Sequence, residues 1–287
     1  MAHLRAAFSI AHAGVAQLLD QKRSWIAFFL SALIVCVSAS NWALVYRDSG
    51  YPIQAAEPFI SWMNISFSSL LIFGLLFLIL CDAPFYSRFD SLLLIRGGWK
   101  PWYMGKCLQI FTLCTAYVLF MALAGLLFAL PIGYMDNRWS LAAQWLSVPT
   151  QQVLYLQRMW TAEVPSVFYQ STYPWQVFWG GIAIYILYAC IISFVAMIGN
   201  VLLPRWAGTI LAGGLHILSF ALSQSGLGAW QTISPLQYLN LQHIAWGRLW
   251  GFGSFLTIAL GFLTVIVVLI LLGGCLLKKF DVEREHV

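Results

Sequence analysis

The sequence predicts an all-α integral membrane protein with six transmembrane helices, and three observations carry that prediction. Hydrophobic residues make up 61% of the 287 and charged residues only 9%, against roughly 45–50% and about 25% in soluble domains. Uncharged stretches long enough to cross a bilayer recur along the chain; a hydrocarbon core of roughly 30 Å takes about 20 helical residues at about 1.5 Å each. Lys and Arg are divided unevenly between the connections, which is what orients a membrane protein.

The first element precedes the spans. In HLRAAFSIAHAGVAQLLDQKR, Leu4, Phe8, Ala11, Val15 and Leu18 recur at helical spacing with Arg5, His12 and Asp20 elsewhere, so residues 1–24 read as a cytoplasmic interfacial helix. A partly ordered tail is the alternative. The apolar run after Lys22-Arg23 is too long for the core of a secretory signal, and no convincing small-residue cleavage site precedes Asn41. Residues 25–287 therefore form one transmembrane domain, with spans over 25–46, 60–81, 108–131, 175–199, 207–224 and 254–277. The fifth is the shortest.

With the N-terminus inside, the inner segments hold Arg5, Lys22, Arg23, Arg88, Arg96, Lys100, Lys106, Arg205, Lys278, Lys279 and Arg284. The outer ones hold only Arg47, Arg138, Arg158 and Arg248. Positive residues are retained on the cytoplasmic side, so both termini are expected there, in a cell membrane of the bacterial plasma-membrane kind.

Two outer segments are more than simple hairpins. Residues 132–174 contain RWSLAAQWLSVPTQQVLYLQR, amphipathic and broken by Pro149. Residues 225–253, SGLGAWQTISPLQYLNLQHIAWGRLWGFG, are too apolar for an open loop. Non-helical backbone at membrane depth needs cover from protein or a cavity. The expectation is thus a pair of short re-entrant or interfacial helices bent near Ser234-Pro235, with Tyr238 inside the segment; an aromatic belt anchor is the compatible alternative.

Chemistry is sparse. Cys36, Cys81, Cys107, Cys114, Cys190 and Cys275 lie in or at the ends of spans with no CxxC or Cys/His metal spacing, which suits packing thiols. No predicted span carries Asp, Glu, Lys or Arg in its central turns, whereas ion-coupled transporters bury such groups as relays. His216, in GTILAGGLHILSF, is the one ionisable residue deep in a span and reads as a neutral hydrogen-bonding group, as do Asn64 and Asn200. There is no HExxH, GxSxG or paired intramembrane aspartate, so the chain is not read as an enzyme and no cofactor or nucleic acid is expected. RGGWKPWYMGKC fails as a nucleotide loop because Lys100 stands five before Gly105 and Cys107 follows Lys106.

One inner connection stands out. DAPFYSRFDSLLLIRGGWKPWYMGK, residues 82–106, holds six of the chain's twenty-five charges between two long apolar runs. Phe85, Tyr86, Phe89, Leu92 and Leu93 share a helical face with Arg88, Asp90 and Ser91 beside it, and Arg96 precedes the Gly97-Gly98 break. A short amphipathic helix held off the inner surface has the shape of a docking element; a positive loop lying on headgroups is the alternative.

These features together resemble the permease subunit of an ATP-binding-cassette (ABC) transporter of the type-two permease class. The resemblance rests on the N-terminal interfacial helix, the 82–106 segment between the second and third spans, and ISPLQYLN between the fifth and sixth. It implies that 82–106 contains the coupling helix, docking an ABC ATPase through Phe85, Tyr86, Arg88, Phe89, Asp90, Leu92, Leu93 and Arg96. It also implies re-entrant helices around Ser234, Pro235 and Tyr238, and a pathway shared with a second copy or a sister permease. Export of an amphipathic peptide, drug or lipid-like substrate follows from the aromatic, nearly uncharged spans. An accessory or assembly subunit of a membrane complex is the alternative function, and an intramembrane enzyme the remote one. Segment 132–174 is longer than a minimal member of the class needs.

Overall fold

The computed structural model describes residues 2–81, 98–146, 166–203, 206–226, 231, 234–248 and 250–284. The docking residues Phe85, Tyr86, Arg88, Phe89, Asp90, Leu92, Leu93 and Arg96 lie outside these. In chain order the described elements are α1 (Ala2–Leu19), α2 (Lys22–Ser49), β1 (Ile53–Gln54), α3 (Glu57–Met63), α4 (Ser66–Leu80) and α5 (Trp99–Ala129). Then follow β2 (Gly133–Tyr134), α6 (Leu141–Leu146), α7 (Ser166–Ser171), α8 (Pro174–Leu202), α9 (Ala207–Gln224) and α10 (Phe255–Arg284). Short 3-10 turns occupy Leu130–Ile132, Pro235–Leu239 and Leu241–His243.

Among the described residues the structure is helical apart from a two-residue parallel ladder, Ile53 beside Gly133 and Gln54 beside Tyr134, and an isolated bridge between Ala245 and Ser254. Five helices among the described residues are long and apolar enough to cross a membrane: α2, α5 continued to Ile132, α8, α9 and the Phe255–Leu276 part of α10. The span expected over 60–81 is not one straight helix. α3 and α4 meet at 87° across a break at Asn64-Ile65, and only as a bent pair do they make a sixth span. All seven residues of α3 are buried, whereas α4 exposes Phe67, Leu71 and Leu78. Glu57, at the head of α3, precedes the expected 60–81 span and is held by Gln54 and Ser140 of two connections, outside the crossing segments.

Observed boundaries otherwise extend the expected ones. α2 begins at Lys22 instead of 25, and α5 begins at Trp99 instead of 108, its first turn tolerating Pro101 because the amides there have no intrahelical acceptor. α9 matches 207–224.

α1 is helical as expected, and one side of it packs on protein. Ala7, Ile10, Ala11, Gly14 and Leu18 point into the protein, while Leu4 and Phe8 are exposed. Its partner is the first half of α5. A methyl added at Gly105 would stand 2.8 Å from Ile10 Cβ and 3.0 Å from the Ala7 carbonyl, so the helices touch through small residues. Close backbone approach is how helices pack where lipid is as apolar as leucine. α8 and α9 do the same at their turn, where a methyl on Gly199 would fall 2.5 Å from Gly208 Cα. Asn200 completes that turn: its Oδ1 accepts from Thr209 N–H at 3.1 Å and its Nδ2 donates to Thr209 Oγ1 at 3.0 Å.

α5 and α8 form the centre. α5 touches α1, α2, α3, α8 and α10, and α8 touches α3, α4, α5, α9 and α10. α9 and α10 lie at the periphery, with Ile210, Leu215, Ile217 and Leu218 on one and Leu263, Val267, Leu271 and Leu272 on the other exposed.

Candidate functional site

The bend between α3 and α4 gathers most of the buried polar chemistry. At its elbow the Met63 carbonyl has left one helix without joining the next, and the Tyr185 hydroxyl of α8 donates to it at 3.2 Å. Ser69 Oγ meets the same hydroxyl at 2.6 Å, and because Tyr185 gives its proton to Met63, Ser69 is the donor. Tyr117 of α5 repeats the arrangement, donating to the Ile72 carbonyl at 2.8 Å and pairing with Ser31 of α2.

His216 of α9, 2% exposed, closes the ring. Its Nε2 faces the Leu70 carbonyl at 3.4 Å, which can only accept, so the ring proton lies on Nε2. Nδ1 then accepts from the Tyr188 hydroxyl at 2.8 Å. Phe73 stands edge-on to both Tyr188 and His216. Three carbonyls at the bend thus take side-chain hydrogen bonds from three neighbouring helices, and His216 acts as the hydrogen-bonding group expected.

The expected re-entrant residues fold back onto this ring. Ser234, 1% exposed, donates to the Ser219 carbonyl at 2.7 Å. Pro235 opens the 3-10 turn to Leu239, whose Leu236 and Leu239 are buried against α4, α8 and α9. Tyr238 is half-buried, and burial raises its phenol above the usual range. In the next turn burial lowers the His243 imidazole. Gln242 N–H donates to Asn64 Oδ1 at 3.2 Å, tying the connection to the elbow. Gly181 makes room for it: a methyl there would come 2.7 Å from the Met63 sulfur and 3.0 Å from Leu241. Trp246 stacks on Phe255 and donates to the Leu241 carbonyl at 3.0 Å.

At the far end of α3 the sequence reading missed a residue. Glu57 is completely buried, and its carboxylate accepts from Gln54 N–H at 3.1 Å, Ser140 N–H at 2.7 Å and Ser140 Oγ–H at 2.6 Å. Ser140 Oγ in turn accepts from Ala143 N–H at 2.9 Å, capping α6. Burial pushes the Glu57 carboxyl up to about 7 against the pull of these three donors. Burial and the nearby Glu57 and Asp136 push the Tyr134 phenol up to about 12. The signal for Glu57 was Glu-Pro at the head of an apolar run, the acidic first turn with proline just inside that starts helices. Trp139, stacked on Phe168 and donating to the Thr172 carbonyl at 2.8 Å, extends this clasp to α7.

Lys106 is the second miss: only 2% exposed, its Nζ lies 5.7 Å from the Trp102 ring centroid one turn earlier. The six cysteines form no disulfide. Among the described residues no three His, Cys, Asp or Glu side chains come together in a metal-binding group. No known protein family, curated protein or solved structure matches the chain.

Proposed function

We propose that this chain is the membrane-spanning permease subunit of a transporter powered by a separate ATPase. One observation supports it above the rest: α1 is packed along the first turns of α5, the helix that starts where the charged 82–97 segment ends. In this reading the ATPase grips the face carrying Phe85, Tyr86, Phe89, Leu92 and Leu93. Its pull enters α5 at Gly98 and α1 through Gly105 and Ile10. α5 touches α2, α8 and α10, so a displacement of its first turn reaches the centre of the bundle. The chain lacks a phosphate-binding loop of its own, and the energy comes from the partner.

The positive-inside distribution puts both termini and the α1 end in the cytoplasm. The 234–248 connection is then a re-entrant element on the outer side, packed over the bend of the second span. The apolar exposed sides of α9 and α10 leave room for a second copy or sister permease, and the aromatic, nearly uncharged spans suit an amphipathic cargo.

Purification of the tagged full chain in mild detergent tests this. An ATP-hydrolysing chain should copurify, and Phe89→Ala or Tyr86→Ala should cut its affinity by at least about 30-fold, the equivalent of about 2 kcal/mol for a central aromatic anchor. Arg88→Glu should act mainly at low salt. Full ATPase binding and transport in the aromatic variants would reduce 82–106 to a surface loop. Copurification with a large complex lacking an ATPase would make the chain an accessory or assembly subunit.

A further inference from the structure

Beneath α1 lies a polar side chain with nothing to bond. Gln109 of α5 is completely buried, and neither its amide oxygen nor its amide nitrogen has a hydrogen-bond partner. Gly14 of α1 covers it: a methyl at Gly14 would stand 2.3 Å from Gln109 Oε1 and 2.7 Å from Nε2. We propose that α1 is a strap that lifts from α5 by pivoting at Asp20-Gln21 and reseats while the rest of the bundle stays folded, with the Gln109 amide setting how readily it lifts.

The seat is built for close approach and not for bonding. Ile10 meets Gly105 and Gly14 meets Gln109, so one turn along α1 matches one turn along α5 and the two helices run side by side in the same direction. Among the described residues no side chain of α1 hydrogen-bonds to the bundle. What ties its end to α2 is the Trp25 indole, which donates to the Leu19 carbonyl at 2.6 Å. A buried amide without partners favours any arrangement that hydrates it, most strongly where the surroundings hold little water. Gln109 is the second residue of the span expected over 108–131, so water at the inner surface reaches it once α1 has lifted.

The link between the helices supplies the pivot. α1 ends at Leu19, α2 begins at Lys22, and Gln21 between them is extended at φ −85° and ψ 125°. In the first turn beyond it, Ser24 Oγ is a second buried polar atom without a partner. Leu18, 2% exposed, keeps the last turn of α1 in the core. Leu4 and Phe8 face away from the seat and hold the lifted helix on the membrane surface. The inference does not rest on the transport reading, because it concerns only how α1 is seated.

The test uses the full chain in phosphatidylcholine nanodiscs, which leave both membrane faces open. In a chain cleared of its native cysteines, Ala11→Cys places a thiol against α5, Ala11 being 6% exposed. A water-soluble maleimide should modify it at least about tenfold faster than Cys190 kept as the single thiol at the buried centre of the bundle. Gln109→Met keeps the shape of the side chain and removes its polar atoms. It should slow the Ala11→Cys reaction at least about fivefold and leave that of Ser9→Cys, on the exposed side of α1, unchanged. Gln109→Leu asks the same question should the methionine variant not elute as a single species. Hydrogen exchange on the chain with its cysteines intact gives a second reading: amides of residues 4–16 should exchange faster than those of residues 182–194, and should slow in Gln109→Met. Modification of Ala11→Cys no faster than that of Cys190, with α1 amides as slow as those of α8, overturns the strap. Modification and exchange of α1 left unchanged or made faster by both Gln109 variants overturn the role given to the amide.

Discussion

Ser140 holds both oxygens of the Glu57 carboxylate, its backbone N–H reaching one at 2.7 Å and its hydroxyl the other at 2.6 Å, across 83 residues of chain. The same hydroxyl accepts from Ala143 N–H. Ser140→Ala removes a donor from a buried carboxylate and the cap from α6 together. A buried group left short of a partner costs about 1–3 kcal/mol and a lost cap about 1 kcal/mol. The variant is expected to unfold at a clearly lower temperature in detergent, and an unchanged midpoint would remove the clasp from the list of stabilising contacts.

The charge of Glu57 gives that clasp a pH dependence. Its folded value of about 7 lies above the ordinary 4.5, so between those values the folded chain keeps a proton that the unfolded chain has lost. The stability this contributes is complete below about pH 4.5 and is lost as pH rises through about 7. At about 1.36 kcal/mol per pH unit the difference is on the order of 3 kcal/mol. Melting midpoints from pH 5 to pH 8 should fall for the natural chain and lose most of that slope in Glu57→Gln. Parallel slopes in the two would contradict the assignment.

Gly105 sets the distance between α1 and α5. Gly105→Ala pushes a methyl against Ile10 and the Ala7 carbonyl, one of which is backbone and cannot swing aside. Overpacking of this kind costs about 1–3 kcal/mol. Gly74→Ala in α4 is the control: nothing lies within 4 Å of the added methyl, and alanine favours a helix over glycine by roughly 0.5–1 kcal/mol. Protease access to the α1–α2 junction should rise in the first variant only. Equal behaviour of the two would mean that α1 is not seated by close approach.

The hydrogen bonds at the elbow are testable as a pair. Tyr185→Phe strands the Met63 carbonyl and the Ser69 hydroxyl. Hydrogen bonds between transmembrane helices average about 0.6 kcal/mol, with larger values near 1–2 kcal/mol. A double-mutant cycle with Ser69→Ala should return a coupling in that range, measured by unfolding in detergent. Simple additivity would show that the two hydroxyls do not act on each other.

How far the sequence reached depends on what hydropathy measures. α9, bounded by Arg205 and a polar turn, has the limits expected of it, because a charged or polar residue ends the apolar run at each side. The break at Asn64-Ile65 was hidden for the opposite reason: the run from Pro58 to Cys81 is uncharged throughout, and hydropathy carries no direction. Asn64, Ser66, Ser68 and Ser69 were the trace of it. The stripe of Leu4, Phe8, Ala11, Val15 and Leu18 reads as the face of an interfacial helix, which says nothing of a protein partner; Ala11 and Leu18 of it are buried, while Leu4 and Phe8 are exposed. Inside a membrane Leu4 and Phe8 meet lipid, and Ala7, Gly14 and their neighbours meet protein. Glu57 was counted with a connection because a carboxylate next to a span reads as solvated until Ser140 is brought beside it. Ser234 and Pro235 stand out through the apolar character of their surroundings, and Ser234 and the adjoining Leu236 are buried.

The ladder of Ile53 with Gly133 bears on how the protein is made. The two residues are 80 positions apart (133 − 53), so the earlier strand leaves the ribosome well before its partner exists. At about 5–20 residues per second that interval is roughly 4–16 s. Throughout it Glu57 has Gln54 N–H as a donor but not yet the two donors of Ser140. α2 and α3 can meet before then, through the Trp42 indole donating to Ser61 Oγ at 3.0 Å, but the clasp at the head of α3 closes only after residue 140 has been made.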